Sequence, residues 1–299
     1  MEIVRYVQDG GVRVGVRKDG KVAALTWASS IAEVLAQPLE ELRERLADLG
    51  PATDDAGLTH LPPVDGRTEV WAAGVTYERS RNGRVEESTE SSVYEKVYDA
   101  PRPELFLKAV AWRVVTDGEP VAVRDDSAVD VPEPELAVVS NRFGEIVGYT
   151  VCNDMSSRDI EGQNPLYIPQ AKIYSGSCAL ATGIVPVWEV PDPHDLTVTV
   201  EVAREGAVVW SGQTSTSRLH RRLDDLVAAL HHPTHFPDGA VLATGTGIVP
   251  GLDFALAEGD RVDIAIDGVG TLSNPVVSGR EPMAWLTETP RPHARKVQP

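Results

Sequence analysis

Short apolar runs bounded by Gly, Pro and Asp dominate this chain from about Val70 onward, and runs of that length suit strands better than helices. The candidates are Glu69–Ala73, Glu119–Val123, Glu135–Ser140, Ile146–Val151, Leu196–Ala203, Ala207–Trp210, Ala240–Ala243 and Arg261–Ile266. Against them stands one later stretch at helical spacing, Leu219, Leu223, Leu226 and Leu230. The pattern predicts a strand-rich α+β fold with few helices. Two long segments, 77–100 and 153–180, carry neither pattern and read as loops. Loops that long in a compact domain are usually functional or disordered.

The N-terminal part alternates through Ile3, Arg5 and Val7, then Val12, Val14 and Val16, then Val22, Ala24 and Leu25. Asp9-Gly10-Gly11 and Asp19-Gly20 break it with hairpin signals. Ser30-x-x-Glu33 fits a capping box opening a helix that Pro38 ends or kinks. Leu39, Leu42, Leu46 and Leu49 continue a helical stripe up to Gly50-Pro51. Residues 51–66 are rich in Pro, Gly and Asp and read as a linker or boundary. The expected organisation is a small α/β domain over 1–64, a larger domain over 65–288, and a flexible basic tail over 289–299.

The 28 basic and 45 acidic side chains leave a net charge of −17 with histidine neutral. That balance argues against binding nucleic acid or an anionic membrane surface, both of which need clustered Lys and Arg. An anionic substrate would need a local reversal of this charge. MEIVRYVQDGG lacks the apolar core of a signal peptide, and no apolar run approaches the roughly 20 residues of a membrane helix. Cys152 and Cys178 are too few for a disulfide framework. A soluble, cytoplasmic protein is expected.

In VDVPEPELAVV, Glu133 and Glu135 stand two apart at the start of a strand, hence on one face and about 7 Å apart. Like charges that close are costly without a cation beside them. Asp154 ends the next run, GYTVCND, where a hairpin partner can bring it alongside. Three converging carboxylates form an oxygen-only site suited to Mg²⁺, Mn²⁺ or Ca²⁺ rather than zinc. Glu-x-Glu alone is more often a solvated strand face. Arg158, Asp159, Glu161 and Lys172 follow within one segment, and that company suits a site holding a metal and an anion together.

The order of motifs also carries a resemblance. Pro103-Glu104-Leu105-Phe106-Leu107-Lys108, Glu133-Pro134-Glu135, Gly148-Tyr149-Thr150, Asn153 to Asp159, Lys172, Thr244-Gly245-Thr246, Glu258-Gly259-Asp260 and Gly270 to Val276 resemble the fumarylacetoacetate hydrolase superfamily. The likeness runs in order from about Val70 to Val277. It implies a twisted mixed β-roll, a homodimer or dimer of dimers, and Mg²⁺ held by Glu133, Glu135 and Asp154. It further implies that Lys172, Arg158, Thr246, Lys108 and Thr76 surround a small anionic 2-keto acid. Such an acid chelates the cation through carboxylate and keto oxygens, which stabilises the enolate formed at C3. Hydrolysis, decarboxylation, isomerisation and dehydration all pass through that enolate, so fold and metal do not name the reaction.

Hydrolytic members carry a His and a Glu on a short helix soon after the motif matching Gly74-Val75-Thr76-Tyr77. This chain has Ser80 at about the His position and no His between His60 and His194. Serine is no general base near neutral pH. GVTYERS, VYDAPRPELFLKA, VPEPELAVV and NPLYIPQAKIYSGSCAL are similar instead to the superfamily's 2-keto-3-deoxy-D-arabinonate dehydratases. The likeness implies Mg²⁺-dependent removal of water from a 2-keto-3-deoxy sugar acid. Lys172 is the expected base if its pKa is lowered and Glu104 the expected acid if its pKa is raised, with the two roles exchangeable. Hydrolysis of acylpyruvate-type β-diketo acids is the second reading, and a non-catalytic sugar-acid binding protein the third. Where the family usually has Gly-Pro, this chain has Cys178-Ala179-Leu180-Ala181-Thr182-Gly183.

Other signals are set aside. Gly245-x-Gly247 with Gly251 misses the dinucleotide fingerprint by one residue. His231, His232 and His235 sit at a helix exit without a cysteine nearby, and Cys178 reads as a buried side chain rather than a nucleophile.

Overall fold

The computed structural model describes residues 1–80, 96–251 and 253–288. Its largest sheet joins twelve strands. At its centre Pro134–Ser140 and Ile146–Asp154 form an antiparallel pair. Ala240–Ala243 lies on the other side of Pro134–Ser140 and runs parallel to Glu69–Gly74, beyond which Glu104–Val110 pairs antiparallel. A second sheet orders Ala207–Ser215, Thr197–Arg204, Arg261–Ile266, Gly270–Ser278 and Val121–Val123, the last two parallel. The fold is the strand-rich mixed β architecture expected, with few helices.

The apolar run around residue 136 reflects burial on both faces. Leu136 and Val138 join a cluster with Val198, Val200 and Ile264 of the five-stranded sheet and Leu226 of helix Leu223–His231. Ala137 and Val139 join a second cluster with Ile3, Ile31, Leu35 and Leu42. By the strand's period of two, Glu133 and Glu135 continue the second face beyond the apolar residues.

Both hairpin signals act as read: Asp9-Gly10 and Asp19-Gly20 hold positive φ at each residue, as a type I′ turn requires. Ser30 caps helix Ile31–Leu35 by accepting from the Glu33 N–H. The Glu33 carboxylate reaches one residue further back than in a capping box, to the Ser29 N–H at 2.6 Å. Pro38 opens the next helix, Leu39–Ala47. Strand Glu2–Gln8 pairs with Gly183–Pro186, and Ile3 and Ile31 share a core with Val139. The boundary expected at 64/65 therefore crosses a continuous sheet.

Two expectations need correction. Residues 51–66 are no linker: Ala52–Asp54 and Thr59–Leu61 are strands too short and polar to show alternation. Segment 153–180 is no plain loop, since it contains helices Arg158–Gln163 and Ile168–Lys172 and strand Cys178–Leu180. Helices of five or six residues are too short to register a period, and Pro169 sits at a helix start, where it is tolerated. Residues 81–95 of the 77–100 loop and the tail 289–299 lie outside the described residues. No helix among those described is long and apolar enough to cross a membrane.

Candidate active site

The central hairpin assembles the acidic residues. Its register sets Pro134 against Asn153 and Glu135 against Cys152, and the Asp154 N–H donates to the Glu133 carbonyl at 2.9 Å. Glu133, Glu135 and Asp154 are buried, and one carboxylate oxygen of each lies within 4.8 Å of the others. Burial pushes the Glu135 carboxyl well above its usual range, and the charges of Asp154 and Glu133 push it further. Lys172 and the Gly245 N–H, which donates to Glu135 Oε2 at 2.7 Å, act in the opposite direction.

Three cationic groups surround this cluster. Lys172, ending helix Ile168–Lys172, donates from Nζ to Glu133 Oε2 at 2.7 Å, Asp154 Oδ2 at 3.2 Å and Ser156 Oγ. Lys108 reaches Asp154 Oδ1 at 2.5 Å and donates to the carbonyls of Met155 at 2.8 Å and Lys172 at 2.6 Å. Arg158 Nη2 lies 3.4 Å from Glu133 Oε1. Three negative and three positive groups nearly balance, so a divalent cation makes the site attractive to an anion despite the acidic chain. The donors fit such a cation: they are oxygen only, buried and convergent. Among the described residues no other group of three or more His, Cys, Asp and Glu converges in this way.

A small cleft opens on the cluster. Glu104, Lys172 and Thr246 line it with the three carboxylates, and Val75, Phe106 and Ile168 supply apolar wall. Glu104 stands opposite Gly74 in the sheet, and a Cβ on Gly74 would lie 2.0 Å from Glu104 Oε2. Glycine there makes room for the carboxylate. Thr246 Oγ1 accepts from the Ile248 N–H at 3.1 Å.

Of the residues expected around the substrate, Thr76, Lys108 and Arg158 do not line this cleft. Thr76 Oγ1 donates to the Thr244 carbonyl at 2.6 Å, tying together the loops that follow the parallel strands Glu69–Gly74 and Ala240–Ala243. A Cβ on Gly245, at φ +92°, would lie 1.9 Å from that hydroxyl. Lys108 is wholly buried and faces protein oxygens. Arg158 is buried and reaches the site through Glu133.

Ser80 does line the cleft, but its hydroxyl is engaged by its own turn: it accepts from the Tyr77 N–H at 3.2 Å and donates to the Tyr77 carbonyl at 2.8 Å. Ser156 and the Gly245 N–H escaped the residue-level reading, although both lie inside quoted motifs. The Cys178–Leu180 stretch, where the chain departs from the family wording, pairs with the strand bearing Asp154 and buttresses it.

Known proteins are similar to this chain over most of its length. A Haloferax volcanii protein, "Probable 2-keto-3-deoxyxylonate dehydratase", is 46% identical over 250 residues, covering 83% of this chain and 86% of its own. The Saccharolobus solfataricus "2-dehydro-3-deoxy-D-arabinonate dehydratase" is 45% identical over 223 residues, covering 73% and 74%. A solved structure described as "2-keto-3-deoxy-D-arabinonate dehydratase complexed with magnesium and 2,5-dioxopentanoate" superposes with a TM-score of 0.82 at 36% identity, over 94% of this chain and 100% of that one. Residues 69–277 match the family "Fumarylacetoacetate (FAA) hydrolase C-terminal", and that span holds the whole cleft. This chain belongs to the fumarylacetoacetate hydrolase family.

Proposed function

We propose that this protein is a Mg²⁺-dependent dehydratase of a 2-keto-3-deoxy sugar acid, giving a 2,5-dioxo acid from a pentonate. The observation that carries the reading is one cleft lined by Glu133, Glu135 and Asp154 together with Lys172 and Glu104. The three carboxylates would hold the cation. When bound, it would polarise the keto group and stabilise the negative charge that builds as the C3 proton leaves. The two dehydratase relatives and the magnesium-bound neighbour support the same assignment.

The elimination of water itself takes two proton transfers, which the chain's own residues must supply. We assign Lys172 to remove the C3 proton and Glu104 to protonate the departing C4 hydroxyl, so that water leaves and a 2-keto-3-ene acid with its C5 hydroxyl remains; loss of a C5 proton and of the C5 hydroxyl proton, with one proton gained at C3 and one at C4, then gives the 2,5-dioxo acid. Lys172 Nζ has three oxygen neighbours here, on Glu133, Asp154 and Ser156. The base role therefore requires Lys172 to give up a proton before turnover, whereas an acid role does not. Exchange of the two roles is the variant of this reading that the geometry keeps open. Cytoplasmic location and self-association as a homodimer or dimer of dimers belong to the same proposal. Exposed Leu166, Val208 and Val209 are apolar surface that association can cover, which light scattering tests.

Among the described residues no histidine lines the cleft, and Ser80 is tied to its own turn. Both points count against C–C hydrolysis. The deciding assay incubates the protein and Mg²⁺ with 2-keto-3-deoxy pentonates, hexonates and acylpyruvates, with products identified by mass. Loss of one water supports the proposal, two smaller acids support a hydrolase, and binding without turnover supports a sugar-acid binding protein. Lys172→Met is expected to lose at least about a hundredfold in kcat while still binding Mg²⁺. Full turnover in that variant removes Lys172 from the chemistry.

A further inference from the structure

Four non-glycine residues take a positive φ among those described: Asp9, Asp19, Glu205 and Val75. The first three each precede a glycine at a hairpin turn, where such backbone is ordinary. Val75, at φ 53°, lies between strand Glu69–Gly74 and the Tyr77 turn and belongs to no hairpin. It is β-branched, the kind of residue this conformation least tolerates, and it is buried.

Contacts on both sides hold it there. Gly74 is registered against Glu104, while Thr76 donates its hydroxyl to the Thr244 carbonyl and accepts the His220 N–H at 2.9 Å. Tyr77 bridges Leu219 immediately afterwards. A glycine at 75 would satisfy the same backbone without strain. Valine therefore contributes something that glycine cannot, and Val75 lines the cleft. Strained residues fixed by their surroundings cluster at functional sites.

We infer that Val75 is a specificity residue of the dehydratase site. Its side chain, turned into place by the left-handed backbone, completes the apolar wall with Phe106 and Ile168 and limits the length of sugar acid admitted. This inference rests on the dehydratase reading. A longer substrate must find space that the isopropyl group fills, and truncation returns that space.

The test compares kcat/KM for five-carbon and six-carbon 2-keto-3-deoxy acids in wild type, Val75→Ala and Val75→Gly, with melting temperatures in parallel. The six-to-five-carbon ratio is expected to rise about tenfold or more in both variants. Val75→Gly should melt no lower than Val75→Ala, because glycine relieves the backbone. An unchanged ratio in both variants overturns the inference, including the case where both acids slow equally because the protein is destabilised. Wild-type protein that dehydrates neither acid overturns the reaction reading and this inference with it. That result is distinct from an unchanged ratio in an active dehydratase.

Discussion

Lys108 Nζ and Asp154 Oδ1 lie 2.5 Å apart with both side chains closed to solvent. The same ammonium also donates to the backbone carbonyls of Met155 and Lys172. Lys108 is thus an internal brace for Asp154 and for the chain that carries Lys172. Removing one partner of a buried pair leaves the other uncompensated, at about 3–5 kcal/mol. Lys108→Met is expected to lose stability in that range and to bind Mg²⁺ more weakly, measured by urea unfolding and by titration calorimetry. Wild-type stability in the variant would refute the brace.

The ionised form of Glu135 is disfavoured by its surroundings, through burial and then the charges of Asp154 and Glu133. Since its folded pKa is raised, its contribution to stability is full below the ordinary carboxylate range and falls as pH rises. Glu135→Gln without metal is therefore expected to be more stable than wild type at neutral pH. Mg²⁺ at a hundred times its Kd should stabilise wild type by about 2.7 kcal/mol and the variant by much less. Thermal melts with and without saturating MgCl₂ measure both, and equal Mg²⁺ shifts would count against Glu135 as a ligand.

Asp130 gives a second pH dependence with a readable midpoint. Burial pushes its carboxyl up to about 6, opposed by hydrogen bonds from Ser127 and the Arg124 backbone, with the charge of Asp159 adding to the rise. The protonated acid is favoured in the fold, so this stability is complete below the ordinary value of 3.8 and is lost as pH rises through about 6. Asp130→Asn should exceed wild type by on the order of 1–2 kcal/mol above neutrality and not below pH of about 4. Denaturant unfolding at the two extremes tests it. A constant difference between the proteins would show that Asp130 does not titrate as stated.

Two glycine substitutions should separate activity from folding. A Cβ at Gly74 meets the tip of Glu104, which can swing aside, whereas one at Gly245 meets Thr76 Oγ1 at 1.9 Å and the Ala73 carbonyl at 2.9 Å. Gly74→Ala is expected to lower kcat at least about tenfold by displacing the acid, with little change in melting temperature. Gly245→Ala, at a positive φ as well, should lose about 2 kcal/mol or more of stability. The pair is scored by steady-state kinetics alongside calorimetry, and the reverse pattern would contradict the geometry.

What could be read before folding followed from how local each feature is. Glu133, Glu135 and Asp154 were legible because strand periodicity and one hairpin suffice to bring them together. Thr76 and Lys108 were expected around the substrate, yet neither lines the cleft. Thr76 binds a carbonyl 168 residues away and Lys108 one 64 residues away, and no local pattern encodes such partners. The helices Arg158–Gln163 and Ile168–Lys172 were hidden by brevity, and with them the way Lys172 is delivered to the carboxylates.

The three converging carboxylates come from one hairpin, while Val75, Ser80 and Glu104 come from a neighbouring strand pair and the turn between 74 and 80. Under the proposed roles, the grip on the cation and the fit of the substrate's far end are written in separate stretches of chain. Mutations in that turn can redirect chemistry without rebuilding the ion's cage. A single scaffold of this design can diversify by replacing a handful of neighbouring codons, with the costly buried charges inherited intact.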